Sequence, residues 1–451
     1  MSKIENLVKY MRSNFFYFRL LTFIIISGLR FRISSNNYTR WKLQIKLFHS
    51  LNHCGHKAHD LYSIKWSTYF FERSEKVRLE YLNSNATPDH NSLRKTFFGP
   101  DMVWALGHMT YAMSLRVKLL KLFPDIYPFN HEIIYNHCQN ETLLNLWSMH
   151  FKIHKVNSDK ALEQQASLWP AVENYMAIWT PNGVMNRDKA NDIYTRKFEV
   201  NCSEAILSIN DEIEELGLRY LKKFGFTSAD WFVTLHVRSG KWGPGFNTEQ
   251  QYGRNADIKD YDSAVKYITN SGGWVVRIGE KNAPGITKHP NVIDYTSEEI
   301  QDSRVNTFFL ACCKFMIGTN SGPVFVPTLF NKPVVMTNWP SAIRNIYLPN
   351  SIVVPKLIIG QKGKILTLEE LFRKKVGYSE FSLDKNSKYM WLDNSSDDIL
   401  QSVIEMNSIT PRILTCLQDK FDERVRELGT DSIGTISNSF INKYSKQLGL
   451  D

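Results

Sequence analysis

The chain has 451 residues, of which 43% are hydrophobic and 22% are charged. This length exceeds what one compact core accommodates, and the composition excludes a disordered or collagen-like chain. The formal net charge of +10 suits nucleic acid, an anionic membrane surface or a phosphate-bearing substrate. Because no zinc-finger, helix-turn-helix or RNA-binding signature accompanies the charge, we expect no nucleic-acid partner.

Positive residues crowd positions 1–50, which form a basic and apolar amino-terminal arm. Residues 15–33 are apolar but are interrupted by Arg19, and the uncharged run 20–29 is too short to span a bilayer. Arg30 and Arg32 make a poor signal-peptide cleavage site. Two interpretations carry equal weight: a helix lying on anionic lipid as a peripheral membrane contact, or a helix buried against the protein.

The six cysteines show no C-x-x-C spacing, so the sequence indicates no zinc site and we expect no bound metal. Cys312 and Cys313 lie in an apolar run that is typical of packed core. Free thiols in a reducing compartment follow from this pattern. We therefore expect a cytoplasmic protein, at the inner face of the cytoplasmic membrane if the arm binds lipid.

Residues 51–228 show a strand, loop and helix rhythm that predicts an amino-terminal Rossmann-like lobe. A helix is predicted to begin near Gly107 and His108, and a β-branched run over 131–135 predicts a strand. A helix over 203–224 is expected to end at Gly225.

Residues 229–400 predict a second lobe with a doubly wound parallel sheet. The continuous apolar run 231–238 is typical of a strand buried on both faces. Short strands then alternate with helices, which favours an α/β fold. The predicted elements are helix 261–269, strand 273–278, strand 292–295, helix 306–313, strand 315–318, helix 323–330 and strand 333–337. Residues 401–451 are expected to form carboxy-terminal helices.

The first candidate constellation is His236-Val-Arg238-Ser-Gly240, at the end of the buried strand. Ligands of open α/β sheets bind outside the carboxyl ends of the strands. The planar fork of Arg238 can hold two phosphate oxygens, and His236 shares a face with it and can reach a base or ribose edge. Gly279 and Glu280 end the next strand and join the candidate ligand-binding residues. The structural alternative for Arg238 is a simple pairing with a carboxylate.

The second constellation is the turn Asn320-Ser321-Gly322-Pro323 between a buried strand and a helix. Pro323 fits the first helical position, and Asn320 and Ser321 are natural caps. The helix N–H groups and the positive end of the helix dipole then face the loop, which makes an anion site. A purely structural cap has about half the weight for this motif alone.

These two motifs resemble the carboxy-terminal lobe of GDP-fucose-dependent fucosyltransferases, and 318–335 looks like the donor loop of other GT-B enzymes, including heptosyltransferases. The chain is most similar to a bacterial family of surface-polysaccharide glycosyltransferases, most clearly over 232–338. The resemblance implies a GT-B-like α/β fold, in which two Rossmann-like lobes with parallel sheets face each other across a cleft.

The resemblance also implies the roles of the residues. His236 would contact the nucleotide, Arg238 would hold the diphosphate and Ser321 would contact phosphate. Many fucosyltransferases carry an Asp that holds the nucleotide where this chain has Asn306, and the nearest aspartate here is Asp302, one turn earlier. The resemblance therefore does not fix the base of the donor nucleotide, and GDP-fucose is one candidate donor.

The implied function is metal-independent transfer of a sugar, from a nucleotide-sugar donor to a saccharide or lipid-linked saccharide acceptor in cell-surface polysaccharide synthesis. The nucleotide-sugar is a substrate, and no cofactor is expected. His108 is the first candidate for the general base, against a structural role as a cap or core residue; Glu280, Asp257 and Asp294 are the others. The alternative function is non-catalytic binding of a nucleotide-sugar or glycan on the same scaffold.

Overall fold

The computed structural model describes most of the chain from residue 94 onward. The described residues are 47, 50, 51, 54, 69–77, 94–98, 100–103, 105–125, 129–156, 177–240, 252–281, 283–342, 348–360, 363–374, 376–377, 383, 387–408, 414–427 and 435–450. The predicted arm 1–50 lies outside them, apart from Leu47 and Ser50. Within these ranges, no helix has both the length and the apolar character needed to cross a bilayer.

Helices and strands are labelled in chain order. Up to residue 228 they are β1 Arg94–Phe98, α1 Pro100–Val103, α2 Leu106–Leu122, β2 Phe129–Tyr135, α3 Glu141–Leu146, β3 Lys152–Lys155, β4 Ala177–Thr180, β5 Gly183–Asn186, α4 Arg187–Asn201 and α5 Asp211–Lys222. Beyond it they are β6 Phe232–His236, α6 Asp262–Asn270, β7 Trp274–Arg277, β8 Val292–Asp294, α7 Ser303–Cys312, β9 Met316–Gly318, the 3-10 helix Gly322–Phe330, β10 Val334–Trp339, β11 Ile352–Pro355, β12 Leu357–Ile359, α8 Leu368–Lys374, β13 Met390–Leu392, α9 Ser396–Asn407, α10 Cys416–Glu427 and α11 Asn438–Leu448.

The chain divides into two compact units whose segments interleave. The first unit comprises Met1–Gly99, Phe123–Asn136 and His154–Ala190, and the second comprises Pro100–Leu122, His137–Ile153 and Asn191–Asp451. The expected lobes, 51–228 and 229–400, are continuous in sequence. In the structure, helix α2 with His108 belongs to the same unit as the sheet that leads to Arg238, whereas the sequence analysis placed it in the amino-terminal lobe.

The first unit contains a small sheet in the order β1-β2-β3, with β1 and β2 parallel. The ring of Phe98, at the end of β1, stacks on His131 with centroids 4.9 Å apart. Strands β4 and β5 form an antiparallel hairpin, and Val184 of β5 belongs to a buried cluster with Phe71 and Ala177. Burial of these apolar side chains is what stabilises the unit.

The second unit is built on a six-stranded sheet in the order β11-β10-β9-β6-β7-β8, whose pairings are all parallel. All five residues of β6 are buried, as the continuous apolar run predicts for a central strand covered on both faces. The structure therefore confirms the α/β class with parallel strands. The crossovers bring the carboxyl ends of β6, β7 and β9 side by side.

Two predicted helices differ from the structure. The helix expected over 203–224 begins only at Asp211, because Ser203 has a left-handed φ of 47° and the Asn210 side chain caps the helix by accepting the Ile213 N–H. The 323–330 segment forms a 3-10 helix rather than an α-helix. Pro327 inside it has no N–H for a longer-range helical bond.

Gly217 of α5 lies directly against the ring of Phe308 on α7, so an added methyl group has no room. A Cβ at this position would stand 2.0 Å from the ring. We expect Gly217→Ala to lower the free energy of unfolding by about 1–3 kcal/mol through overpacking, despite the better helix propensity of Ala. Chemical denaturation measures this. Gly285→Ala, whose Cβ would meet nothing within 4 Å, is the control, and equal stability of the two variants would contradict the prediction.

Candidate anion site at the carboxyl edge of the parallel sheet

The two predicted constellations meet at the ends of neighbouring strands. His236, the last residue of β6, is paired with Gly318, the last residue of β9. Just beyond, the Arg238 N–H donates to Thr319 Oγ1 at 3.0 Å and the Thr319 N–H donates to the His236 carbonyl at 3.1 Å. The backbone at Arg238 is thus bonded directly to the turn that precedes Ser321.

Ser321 immediately precedes the Gly322–Phe330 helix and has an extended backbone, with φ −150° and ψ 158°. Its carbonyl accepts the Val324 N–H at 3.1 Å, but its side chain makes no capping hydrogen bond. The Ser321 hydroxyl group therefore does not cap the helix. Pro323 has no N–H and the Val324 N–H is used within the helix, so the Gly322 N–H and the Ser321 hydroxyl are the donors that this helix start offers to an anion.

The beginning of α2 packs against the beginning of the 322–330 helix. A Cβ on Gly322 would stand 2.9 Å from the Gly107 nitrogen and 3.1 Å from Leu106 Cβ, so only glycine permits this approach. Half-buried His108 is the next residue of α2. Two helix amino termini, each carrying a partial positive charge, consequently meet beside the Ser321 turn.

His236 is buried, and its ring lies beside Gly279. Its Nδ1 is 3.3 Å from the Ile278 carbonyl oxygen, which can only accept, so Nδ1 carries the proton. Nε2 is then an acceptor, and it has no hydrogen-bond partner among the described residues. Burial, together with the positive charges of nearby arginines, lowers the pKa of His236 to about 4. At neutral pH the ring is uncharged and presents a buried acceptor nitrogen.

Arg254 joins this edge, although the sequence analysis did not select it. Its Nε donates to the Asn320 carbonyl at 2.8 Å. The Ala256 N–H donates to the Arg238 carbonyl at 3.2 Å, so the Arg254 segment lies alongside Arg238. Gly240 faces the same segment, because a Cβ there would stand 2.4 Å from the Asn255 side chain.

The carboxylates proposed as alternative bases are engaged in structural bonds. Asp294 pairs with buried Arg277 at 3.1 Å and also accepts the Thr296 N–H and hydroxyl. Asp257 caps the turn after it by accepting the Lys259 N–H at 3.0 Å. These hydrogen bonds give both carboxylates a role in the local backbone structure.

Glu280 follows Gly279 beyond the end of β7 and belongs to the same edge. One of its carboxylate oxygens accepts the Ser239 hydroxyl at 3.3 Å. Ser239 directly follows Arg238, so the loops after β6 and β7 are joined above the sheet.

Asp302 and Asn306, taken from the resemblance as donor-binding candidates, lie at the start of α7. The Asp302 carboxylate accepts the Arg304 backbone N–H at 2.8 Å and Arg304 Nη2 at 2.7 Å, and these bonds lower its pKa. The Asp302 carbonyl accepts the Asn306 N–H. In the structure Asp302 is a helix cap, and its neighbour Gln301 reaches the site by donating to the Gly279 carbonyl at 3.2 Å.

The first unit holds an acid–base pair that the sequence analysis also missed. His154 Nε2 on β3 lies 2.7 Å from Glu132 Oε2 on β2, with side-chain exposures of 35% and 8%. A buried carboxylate that orients a partly exposed imidazole is a common general-base arrangement. Because the two residues are 22 positions apart, neither periodicity nor a local motif could reveal the pair.

No protein-family model and no curated protein sequence matches the chain. Similar solved structures include a glycosyl transferase family 9 protein from Veillonella parvula, with 14% identity, a TM-score of 0.38, and coverage of 58% of this chain and 85% of that one. E. coli ADP-heptose lps heptosyltransferase II has 14% identity, a TM-score of 0.38, and coverage of 59% and 91%. E. coli heptosyltransferase WaaC with ADP has 9% identity, a TM-score of 0.35, and coverage of 69% and 97%. Similarity at this level leaves the activity of this chain to be argued from its own residues.

The depressed pKa of His236 predicts a specific dependence of stability on pH. Between pH 6.5 and about 4 the unfolded chain binds this proton more readily than the folded one, so the free energy of unfolding falls as the pH is lowered. The contribution amounts to at most about 3 kcal/mol. His236→Gln should flatten this part of the profile in chemical denaturation, while His289→Gln, at an exposed histidine, should not. A profile for His236→Gln parallel to that of wild type would contradict the pKa.

Proposed function

We propose that the protein is a GT-B-type glycosyltransferase that transfers a sugar from a nucleotide-sugar to a saccharide or lipid-linked saccharide acceptor in cell-surface polysaccharide synthesis. The observation that carries this proposal is the bond between the Arg238 N–H and Thr319 Oγ1 at 3.0 Å. It brings the segment carrying a guanidinium and the start of a helix to one sheet edge, where α/β proteins bind phosphate groups.

The chemistry that this edge supports is stabilisation of a departing diphosphate. As the bond between the anomeric carbon and the phosphate oxygen breaks, negative charge grows on that oxygen. Arg238, the Gly322 N–H and the Ser321 hydroxyl stabilise this charge, and because the folded turn already holds their backbone in place they need little reorganisation. His236 Nε2 accepts a hydrogen bond from the nucleoside. In this mechanism the protein needs no metal ion. The proposal does not assign the nucleotide base or the sugar of the donor.

The acceptor hydroxyl must lose a proton when it attacks the anomeric carbon. His108 is proposed for this step. Gly107 approaches Gly322 closely, and His108 is the next residue along the helix, so it lies near the turn that is proposed to bind the donor. A neutral histidine is suited to accepting a proton near pH 7.

Arg238→Ala tests the central assignment. We expect the rate of transfer to fall about 10²–10³-fold, because one preorganised charged donor to the leaving group is lost. Calorimetry with ADP, GDP and UDP first identifies the base that wild type binds, and release of that diphosphate from its sugar donor then reports turnover. Arg424→Ala, at a surface arginine paired with Glu427, is the control. Wild-type turnover by Arg238→Ala would overturn the assignment, whereas diphosphate binding without turnover by wild type would favour the non-catalytic alternative.

His108→Gln should lower kcat and remove an ionisation near neutral pH from the pH–rate profile, because glutamine cannot accept the proton. Affinity for the nucleoside diphosphate should change little, which separates a role in proton transfer from a role in donor binding. His289→Gln, at an exposed histidine, is the control. If His108→Gln keeps the wild-type pH–rate profile, His108 is not the base.

A further inference from the structure

We infer that Arg254 is a second phosphate-binding residue of the donor site and that it acts as a pair with Arg238. This inference rests on the proposed function, since it assigns a role within the same site. It starts from the 2.8 Å hydrogen bond between Arg254 Nε and the carbonyl of Asn320, the residue before Ser321. The guanidinium therefore lies against the turn that leads into the 322–330 helix.

The backbone that follows Arg254 is held in place by hydrogen bonds. Lys356, only 2% exposed, donates from Nζ to the Asn255 carbonyl at 2.7 Å and to Asp393 Oδ1 at 2.6 Å. The Ala256 N–H donates to the Arg238 carbonyl at 3.2 Å. A functional side chain whose supporting backbone is fixed in this way loses little entropy when it binds a ligand.

The two arginines also share an electrostatic effect. Arg238 and Arg254, together with Arg277, lower the pKa of the buried His236 imidazole, because each positive charge disfavours a further proton. Positive charge at this edge attracts an anion. A diphosphate presents charged oxygens on two phosphate groups, so it can contact two arginines where a single phosphate offers fewer sites.

The geometry of the Arg254 bond makes arginine specific at this position. With Nε committed to the Asn320 carbonyl, the plane of the guanidinium is set relative to the turn. A lysine has a single ammonium group on a flexible stem, so it cannot hold the carbonyl and orient a planar fork at the same time. Arg254→Lys should therefore recover only part of the function.

Calorimetry on the full chain tests the inference. The probes are whichever of ADP, GDP and UDP binds wild type most tightly, together with the matching nucleoside. We expect Arg254→Gln to raise the Kd for the diphosphate about 10- to 100-fold, as loss of a hydrogen bond from a charged group implies. The Kd for the nucleoside should change less than about twofold, and Arg254→Lys should lie between wild type and Arg254→Gln. Arg424→Gln should match wild type with both probes.

The outcomes separate the inference from the proposed function. If wild type binds none of the three diphosphates, the proposed function fails. If wild type binds one and Arg254→Gln binds it equally well, only the role of Arg254 fails. Equal weakening of diphosphate and nucleoside would mean that Arg254 merely supports the turn, which also overturns the inference. Should Arg254→Gln not fold, Arg254→Lys supplies the same comparison, with selective loss of diphosphate affinity expected.

Discussion

A single hydroxyl group joins the two halves of the candidate site: Thr319 Oγ1 accepts the Arg238 N–H at 3.0 Å. It can do so because β6 and β9 run parallel in a register that pairs His236 with Gly318. A slip of one residue would turn every side chain of a strand to the opposite face and would separate the arginine from the turn. The apolar burial that fixes this register is therefore a condition for the electrostatics above it.

The edge combines several sources of positive potential around an uncharged imidazole. Two helix starts meet where Gly107 touches Gly322, and the segments carrying Arg238 and Arg254 are bonded to the same turn. In a site of low dielectric constant such charges act strongly on an anion. Neutral His236 adds a hydrogen-bond acceptor to this edge without adding a further positive charge.

The sequence predicts the sheet well because its strands are continuous apolar runs between glycines and polar turns. The meeting of Arg238 with the Ser321 turn follows from the rule for carboxyl ends of parallel strands. Arg254 lies in a stretch of sequence with no periodic pattern, so only tertiary contacts reveal its position. Asp302 shows a different difficulty: an aspartate before a helix has the same sequence signature whether it caps the helix or binds a ligand. The left-handed backbone of Ser203 likewise has no local signal.

The contact between α2 and the 322–330 helix has a consequence for biosynthesis. A ribosome adds about 5–20 residues per second, so the partner of α2 emerges roughly 10–40 seconds after α2 itself. During that interval the apolar side chains that α2 finally buries, Met109, Ala112, Met113, Leu115, Val117 and Leu119, lack this covering. The nascent chain thus exposes an apolar helix, to which a molecular chaperone can bind until the 322–330 segment has been synthesised.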